Sequence, residues 1–412
     1  MVMSRRRQPG TPRLLRALND RAALELLLAH GPLTRAKLGE LTGLSKVTAS
    51  QLVERLEQRG LVERVGVSAG GRGPNAQLYA VVASAAYVVG MAIGPHGVTA
   101  QAADLTGAEH GRVEVAADIS DDPVGLVHEV LAQAAKAAEV PAGKIRHVVL
   151  GSPGVIDPRS GEVSFSWELP RWHRGLLAAL TADLNRPVRI VNDVNLAAVA
   201  EHRLGAGAGV DDFVLLWCDR GMGVGVMLDG RLYQGVLGAA GEVGYLPVPG
   251  VELVHGVTRA HKAPYSALAG AEPIRALARE HGFRQRTAAA AVAAAVADPE
   301  RGGPLLDEIA RRIALGAAAV SVVLDPGLVV LAGEVGSAGG DELATRVERE
   351  VRELAPVAPK VVGTIIDADP VLHGAVLTAL ASAREEIFEG TDLDGADLDG
   401  TDADDAEPEP AP

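Results

Sequence analysis

The chain of 412 residues contains one cysteine, Cys218, which rules out an intramolecular disulfide and any metal site built on several thiolates. Its expected role is that of a small buried hydrophobe. Aromatic residues are scarce too, at 3% against 48% hydrophobic residues overall, so the core has to be assembled from Val, Leu, Ile and Ala. No stretch reaches the ~20 consecutive apolar residues that span a bilayer; the Ala-rich segment 288–297 is too short and reads as a helix. The basic N-terminus is not followed by an apolar core of signal-peptide length. These absences lead to the expectation of a cytoplasmic protein with no membrane contact, long enough for one small domain and one large or two medium ones.

What the chain does have is a sharp division of charge. Residues 1–81 carry 13 Lys and Arg against 6 Asp and Glu, whereas the whole chain stands at −14. The last segment, 390–412, holds 9 acids and no base. It repeats Asp-Leu-Asp-Gly and ends in Glu-Pro-Glu-Pro-Ala-Pro, a composition that cannot bury a core and reads as a disordered acidic tail. A basic head on an acidic body fits a DNA-binding module joined to a separate regulatory domain. Arg5, Arg6 and Arg7 lie in a flexible basic arm, residues 1–11, which either touches phosphates or is inert.

Residues 12–82 read as a winged helix-turn-helix. Thr34 caps a short helix through its hydroxyl, and Ala36, Leu38 and Leu41 form an apolar stripe at helical spacing. Gly43 marks a sharp turn, where positive φ is cheap only for glycine. Ser45 caps the next helix, in which Ala49, Leu52 and Leu56 face inward and Ala49 lets the two helices cross closely; Gly60 ends it. Residues 61–65 and 77–81 alternate like paired strands. Between them, Ser-Ala-Gly-Gly-Arg-Gly-Pro-Asn makes a wing with Arg72 at its tip, suited to a narrow minor groove. In such motifs the start of the second helix reads base edges. Ser45, Lys46, Thr48, Ser50 and Gln51 are short polar or cationic groups fit for bases and phosphates, and Arg35 is counted with them and with Arg72 as a DNA contact. The plainer alternative is a helical hairpin with a polar face and a solvated loop arginine.

The middle of the chain, residues 83–389, alternates strands with helices. Strands are expected at 87–94, 98–105, 113–117, 147–150, 188–191, 213–217 and 328–331, and helices at 124–138 and 195–204. Gly221-Met222-Gly223-Val224-Gly225 reads as a glycine turn leading into a strand at 226–228. Two halves that each open with strand, glycine turn and strand point to a duplicated α/β fold with a cleft between its halves.

Three further motifs stand out: Gly-Ser-Pro-Gly-Val-Ile-Asp at 151–157, Val-Asn-Asp-Val-Asn-Leu-Ala-Ala-Val-Ala-Glu-His-Arg at 191–203, and Leu-Asp-Gly-Arg-Leu-Tyr-Gln-Gly-Val-Leu-Gly-Ala-Ala-Gly-Glu-Val-Gly-Tyr at 228–245. With the winged helix they make the chain resemble the ROK family of repressors, open reading frames and sugar kinases, over roughly residues 12–388 and on the side of its transcriptional regulators. The resemblance implies an α/β domain of two lobes with an actin-like, hexokinase-like (ASKHA) fold behind the winged head, and a sugar in the cleft. Asp193 matches the kinases' catalytic base and Asn192 a sugar-binding residue, although a strand-end turn with a helix cap explains the same pair. Glu242 matches the first residue of the family's Glu-x-Gly-His sugar motif, whose histidine is here Tyr245, a residue able to stack on a ligand, hydrogen-bond to it or simply pack. Gly154, Asn192, Asp193, Glu242 and Tyr245 are therefore the effector-contact candidates.

The chain also departs from the family's kinase pattern. The Asp-x-Gly-Gly-Thr phosphate loop is replaced by Ala92-Ile93-Gly94-Pro95-His96, where proline removes an N–H donor. The second phosphate loop, Gly-Thr-Gly-x-Gly in the kinases, reads Asp219-Arg220-Gly221-Met222-Gly223, and an aspartate there would repel a triphosphate. The family's zinc-binding cysteines are missing, and His255 and His261 alone make a poor metal site. The expectation is a non-enzymatic transcriptional regulator of carbohydrate-related genes, a repressor rather than an activator, without metal or cofactor. It would bind a double-stranded operator as a homodimer or homotetramer, and a sugar or sugar-phosphate effector would change lobe closure and with it the spacing of the heads. Two other readings stay open: a sugar kinase carrying a DNA-binding head, and a regulator that no longer binds sugar.

Overall fold

The computed structural model describes residues 12–68, 76–94, 97–116, 122–166, 175–251 and 262–389. The basic arm, the wing tip with Arg72, Pro95 and His96, His255 and His261, and the acidic tail lie outside the described residues. The rest falls into two compact units, one within Met1–Tyr87, Ala103–Ala108 and Leu380–Pro412, the other comprising Val88–Ala102 and Glu109–Ala379.

The first unit begins with α1 (Pro12–His30), β1 (Leu33–Thr34), α2 (Arg35–Thr42), α3 (Lys46–Gln58), β2 (Val62–Ser68) and β3 (Ala76–Val81). The strands form a sheet in the order β1-β3-β2, with both neighbours antiparallel to β3. Local chemistry sets the helix ends. Thr34 accepts a hydrogen bond from the Lys37 amide, and Ser45 from that of Thr48; these are side-chain N-caps. Gly43 closes α2 at φ 71°. The interior is aliphatic: Leu24 and Leu27 of α1, Leu38 of α2, Leu52, Val53 and Leu56 of α3, and Val62 and Val81 of the hairpin, with Tyr79. The expected stripe on α2 is corrected here. Leu38 is buried, but Ala36 is exposed and Leu41 is 42% exposed. An eight-residue helix presents little more than one inward turn, and Gly39 takes part of it: a Cβ there would lie 3.3 Å from that of Ala49. The close crossing of α2 on α3 thus needs both small residues.

The second unit is built from β4 (Tyr87–Gly94), β5 (Gly97–Asp104), β6 (Glu109–Ala116), α4 (Pro123–Ala137), β7 (Ile145–Ser152), β8 (Val155–Ile156), β9 (Val163–Phe165), α5 (Leu176–Leu184), β10 (Val188–Asn192), α6 (Asp193–Leu204), β11 (Phe213–Cys218), β12 (Met222–Leu228) and β13 (Arg231–Leu232). It continues with α7 (Pro264–Ala269), α8 (Ala271–Glu280), α9 (Ala288–Ala297), α10 (Pro299–Leu324), β14 (Leu328–Ala332), α11 (Gly333–Leu354), β15 (Lys360–Gly363) and the first part of α12 (Pro370–Glu389). There are two five-stranded sheets, ordered β10-β7-β4-β5-β6 and β13-β12-β11-β14-β15. β10 runs parallel to β7; β11 runs antiparallel to β12 and parallel to β14, which is parallel to β15. This is the duplicated α/β plan.

With so few aromatics, the core depends on close backbone approach. α9 contributes Ala291, Val292 and Ala295, and a Cβ on Gly302 of α10 would sit 2.1 Å from the Ala295 carbonyl oxygen. Tyr265 is fully buried and donates its hydroxyl to the Ile313 carbonyl at 2.8 Å. Cys218 is buried among these aliphatics. The glycine turn expected at 221–225 is shorter than its glycines suggest: it closes by Gly221, and Met222–Leu228 is continuous strand. The reason is packing, since a Cβ on Gly225 would lie 2.5 Å from that of Ala198 on α6. The glycine lets a helix lie on the sheet.

Candidate functional site

In the first unit the second helix of the motif presents a polar start. Ser45, Lys46, Thr48 and Gln51 are exposed and Ser50 is half-buried, above a buried underside of Ala49, Leu52, Val53 and Leu56. The Ser45 hydroxyl also lies 2.8 Å from that of Thr48, which orders the first turn. No acid stands in that turn, so the partial positive charge of the helix start faces outward. Val47 is 67% exposed within the same surface; the polar pattern of the motif does not single it out, and an apolar group there suits a thymine methyl. Arg16 and Asn19 of α1 line a groove of about 290 Å³ with Thr48, Gln51, Leu52 and Arg55. They too were missed, because nothing in the sequence brings α1 beside α3.

The angle of α3 has an identifiable brace. Asp20 of α1 is buried and accepts two hydrogen bonds from the Arg55 guanidinium, that from Nε at 2.9 Å. Arg35, expected among the DNA contacts, is partly exposed and already has partners within the head. Its Nη2 lies 3.3 Å from Glu57 Oε2 and its guanidinium carbon 5.0 Å from the centre of the Tyr79 ring. As the first residue of α2 it points toward β3, so the group ties α2, α3 and β3 together. Arg72 lies outside the described residues.

In the second unit a cavity of about 480 Å³ gathers all five expected effector contacts, Gly154, Asn192, Asp193, Glu242 and Tyr245. Gly154 has φ 122°, and a Cβ would stand 2.4 Å from the Phe165 carbonyl oxygen, so this turn requires glycine. Asn192 ends β10 and caps α6: its Oδ1 accepts from the Asn195 amide at 3.0 Å, while its Nδ2 donates to the Gly154 carbonyl at 3.0 Å. The cap reading of Asn192 is thus realised at a residue that also lines the cavity. Asp193 opens α6 and accepts from the Val194 amide at 2.8 Å.

In the sequence Asp219 reads only as a departure from a phosphate loop, and no motif marks Phe165 or Trp217. All three line the cavity with Arg220. The whole chain has 4 Phe, 3 Trp and 5 Tyr, so the convergence of Phe165, Trp217 and Tyr245 on one cavity is a large share of a rare resource. Burial raises the Asp193 carboxyl above the ordinary aspartate range. Burial, then the charge of Glu334, and with them that of Asp193, push Asp219 up to about 6. Burial and the charge of Asp193 raise Glu242, and burial with the charge of Glu242 raises the Tyr245 phenol. The carboxylates therefore feel one another. Such a cavity offers hydrogen-bond acceptors for hydroxyl or ammonium donors and aromatic faces for a ring. Among the described residues no group of three or more His, Cys, Asp or Glu could hold a metal ion.

A family model described as ROK family matches residues 88–385. The chain belongs to the ROK family. A MarR family model matches residues 18–73, a range that contains α2, α3 and β2. Among ROK relatives, the chain is 27% identical to the DNA-binding transcriptional dual regulator NagC of Escherichia coli (strain K12) over 248 residues, which is 58% of this chain and 60% of that protein. It is 29% identical to the xylose repressor of Bacillus subtilis (strain 168) over 245 residues, 57% of this chain and 61% of that protein. The chain thus spans about 60% of the length of the curated relatives it matches. Among solved structures, a ROK family transcriptional regulator described as a homologue of the E. coli MLC protein aligns at TM-score 0.73 and 20% identity, over 92% of this chain and all of that one. The ROK hexokinase of Thermus thermophilus aligns at TM-score 0.60 and 27% identity, over 73% of this chain and 99% of that one. The fold is a winged helix-turn-helix followed by a ROK domain of hexokinase-like architecture. No helix of the described residues is long and apolar enough to cross a membrane.

Proposed function

We propose that this ROK protein is a cytoplasmic DNA-binding transcriptional repressor of carbohydrate-related genes, with the ROK domain as saccharide sensor and dimerisation module and without catalysis of its own. The observation that carries this is the outward start of α3, Ser45 to Gln51, on the same chain as the aromatic and acidic ROK cavity. The repressor names of the relatives support the carbohydrate link. A homodimer, or a homotetramer of such dimers, presents two recognition helices to half-sites about one helical turn apart or a multiple of that. Effector and operator are linked: a ligand with higher affinity for the state that binds DNA poorly lowers operator affinity by the ratio of its two affinities. The test is an unbiased selection of duplexes by the full chain, followed by a salt titration. Salt-sensitive preference for a sequence with repeated half-sites is expected; no preference for any duplex would sink the proposal.

The presence of Asp193 in the cavity favours one alternative, a sugar kinase with a DNA-binding head. A coupled assay of ADP release across common hexoses separates the two. Turnover that disappears in Asp193→Asn would establish the kinase; no turnover supports the repressor.

A further inference from the structure

Four backbone N–H groups at or beside the ROK cavity, each placed to bind an anion, already have partners. At the start of α6, a place where backbone amides commonly hold phosphate, the Val194 N–H donates to the Asp193 carboxylate at 2.8 Å and the Asn195 N–H to Asn192 Oδ1 at 3.0 Å. In the loop after β11, the Arg220 N–H donates to its neighbour's carboxylate, Asp219 Oδ1, at 2.7 Å. The Met222 N–H donates to the Ser266 hydroxyl at 3.1 Å. Among the described residues, one cationic side chain, Arg220, lines the cavity with three carboxylates, Asp193, Asp219 and Glu242. The field of that guanidinium already acts on Asp193 and Asp219.

We infer that the cavity takes an uncharged or amino-bearing saccharide and rejects phosphorylated sugars, with Asp219 enforcing the rejection and Phe165, Trp217 and Tyr245 holding the sugar ring. The inference rests on the sensor role proposed above and narrows its ligand class. A phosphate ester brings a charge of roughly −1.5 to −2 at neutral pH into a site where it finds like charges and satisfied amides. Sugar hydroxyls supply the donors that carboxylates lack, and an amino group adds a charge-assisted bond. The aromatic faces exclude water from the ring's apolar surface without discriminating charge.

The measurement is isothermal titration of the full chain with glucose, xylose, N-acetylglucosamine and glucosamine, and with glucose 6-phosphate, N-acetylglucosamine 6-phosphate and glucosamine 6-phosphate. At least one unphosphorylated sugar should bind, and its phosphate ester should bind at least tenfold more weakly. Asp219→Asn, and Asp219→Gly as a second variant in case the first misfolds, should narrow that gap at least threefold, while Trp217→Ala weakens sugar and ester alike. An ester that binds as tightly as its parent sugar would overturn the inference and leave the sensor role standing. No binding by any of the seven compounds would overturn the sensor role and the inference with it.

Discussion

Helices α3 and α6 begin in the same way and face opposite chemistries. Each has a polar N-cap, Ser45 on the Thr48 amide and Asn192 on the Asn195 amide. The residues that follow differ. α3 continues with Lys46, Val47 and Thr48 and carries no acid in its first turn. α6 continues with Asp193, whose carboxylate takes the next free amide. A helix start is an anion site only while its amides and its field remain available. The first turn of α3 has no acid to take them, and that of α6 does. On the function proposed above, one local device would serve phosphate recognition in one unit and hydroxyl recognition in the other, with a single side chain in the first turn deciding which.

The most direct way to break this contrast is to give α3 the acid that α6 has. Lys46→Glu should lower affinity for the selected operator about 100-fold, roughly 2.7 kcal/mol, with the protein still folded. Fluorescence anisotropy at fixed salt reads the loss, and affinity within threefold of wild type would refute the orientation assigned to α3. Arg72→Ala provides the parallel test for the wing.

A second variant removes the brace instead of the reading surface. Arg55→Ala leaves Asp20, buried on α1, without its guanidinium partner. Stripping one member of a fully buried ion pair costs about 3–5 kcal/mol. Arg55 is itself partly exposed, so about 2 kcal/mol of destabilisation of the head is expected in urea unfolding. A change below about 0.5 kcal/mol would mean that Asp20 is rehydrated and the brace is inert.

The two regions also differ in how far they could be read from sequence. Thr34, Gly43, Ser45 and the core of α3 were legible because caps, turns and periodicity act over three or four residues. Leu41 failed because a stripe inferred from spacing ignores how short α2 is. The partners of Arg35, Glu57 and Tyr79, lie 22 and 44 positions away and have no local signature. In the ROK domain, Gly154, Asn192, Asp193, Glu242 and Tyr245 came from motif resemblance, and their convergence on one cavity is a fact of topology. Phe165 and Trp217 carry no local signal, since they come from strands in two different sheets. Gly223 and Gly225 looked like a turn because glycine allows one; here the missing Cβ serves α6, which cannot be seen in the glycines alone.

Removing the cap from the second helix sharpens the contrast at smaller amplitude. Asn192→Ala deletes the bond to the Asn195 amide and the bond to the Gly154 carbonyl together. Loss of an N-cap costs about 1 kcal/mol, so a comparable destabilisation of the ROK domain is expected from thermal unfolding, with weaker saccharide binding. Asn192→Asp keeps the cap acceptor and should restore most of the stability while adding a fourth negative charge, so it should not restore binding. Recovery of both would mean that the cavity tolerates charge better than its lining implies.

The smallest effect is a dependence on pH. Unfolded, the Asp219 carboxyl titrates near its ordinary value of 3.8; folded, beside Glu334, Asp193 and Arg220, it titrates at about 6. Below pH 3.8 both states hold the proton and the residue's contribution to stability is complete. Between the two values the folded state keeps a proton that the unfolded state has released, so stability falls as pH rises and levels off above pH 6. The displacement corresponds to about 3 kcal/mol if taken in full, but the side chain is only half-buried and solvent screens it, so less than about 1 kcal/mol is expected. Asp193 and Glu242 shift in the same direction, so the melting temperature of wild type alone does not isolate Asp219. The difference between wild type and Asp219→Asn does: wild type should lose stability relative to the variant as pH goes from 4.5 to 6.5. A constant difference across that range would place Asp219 in water, where it could not exclude a phosphate.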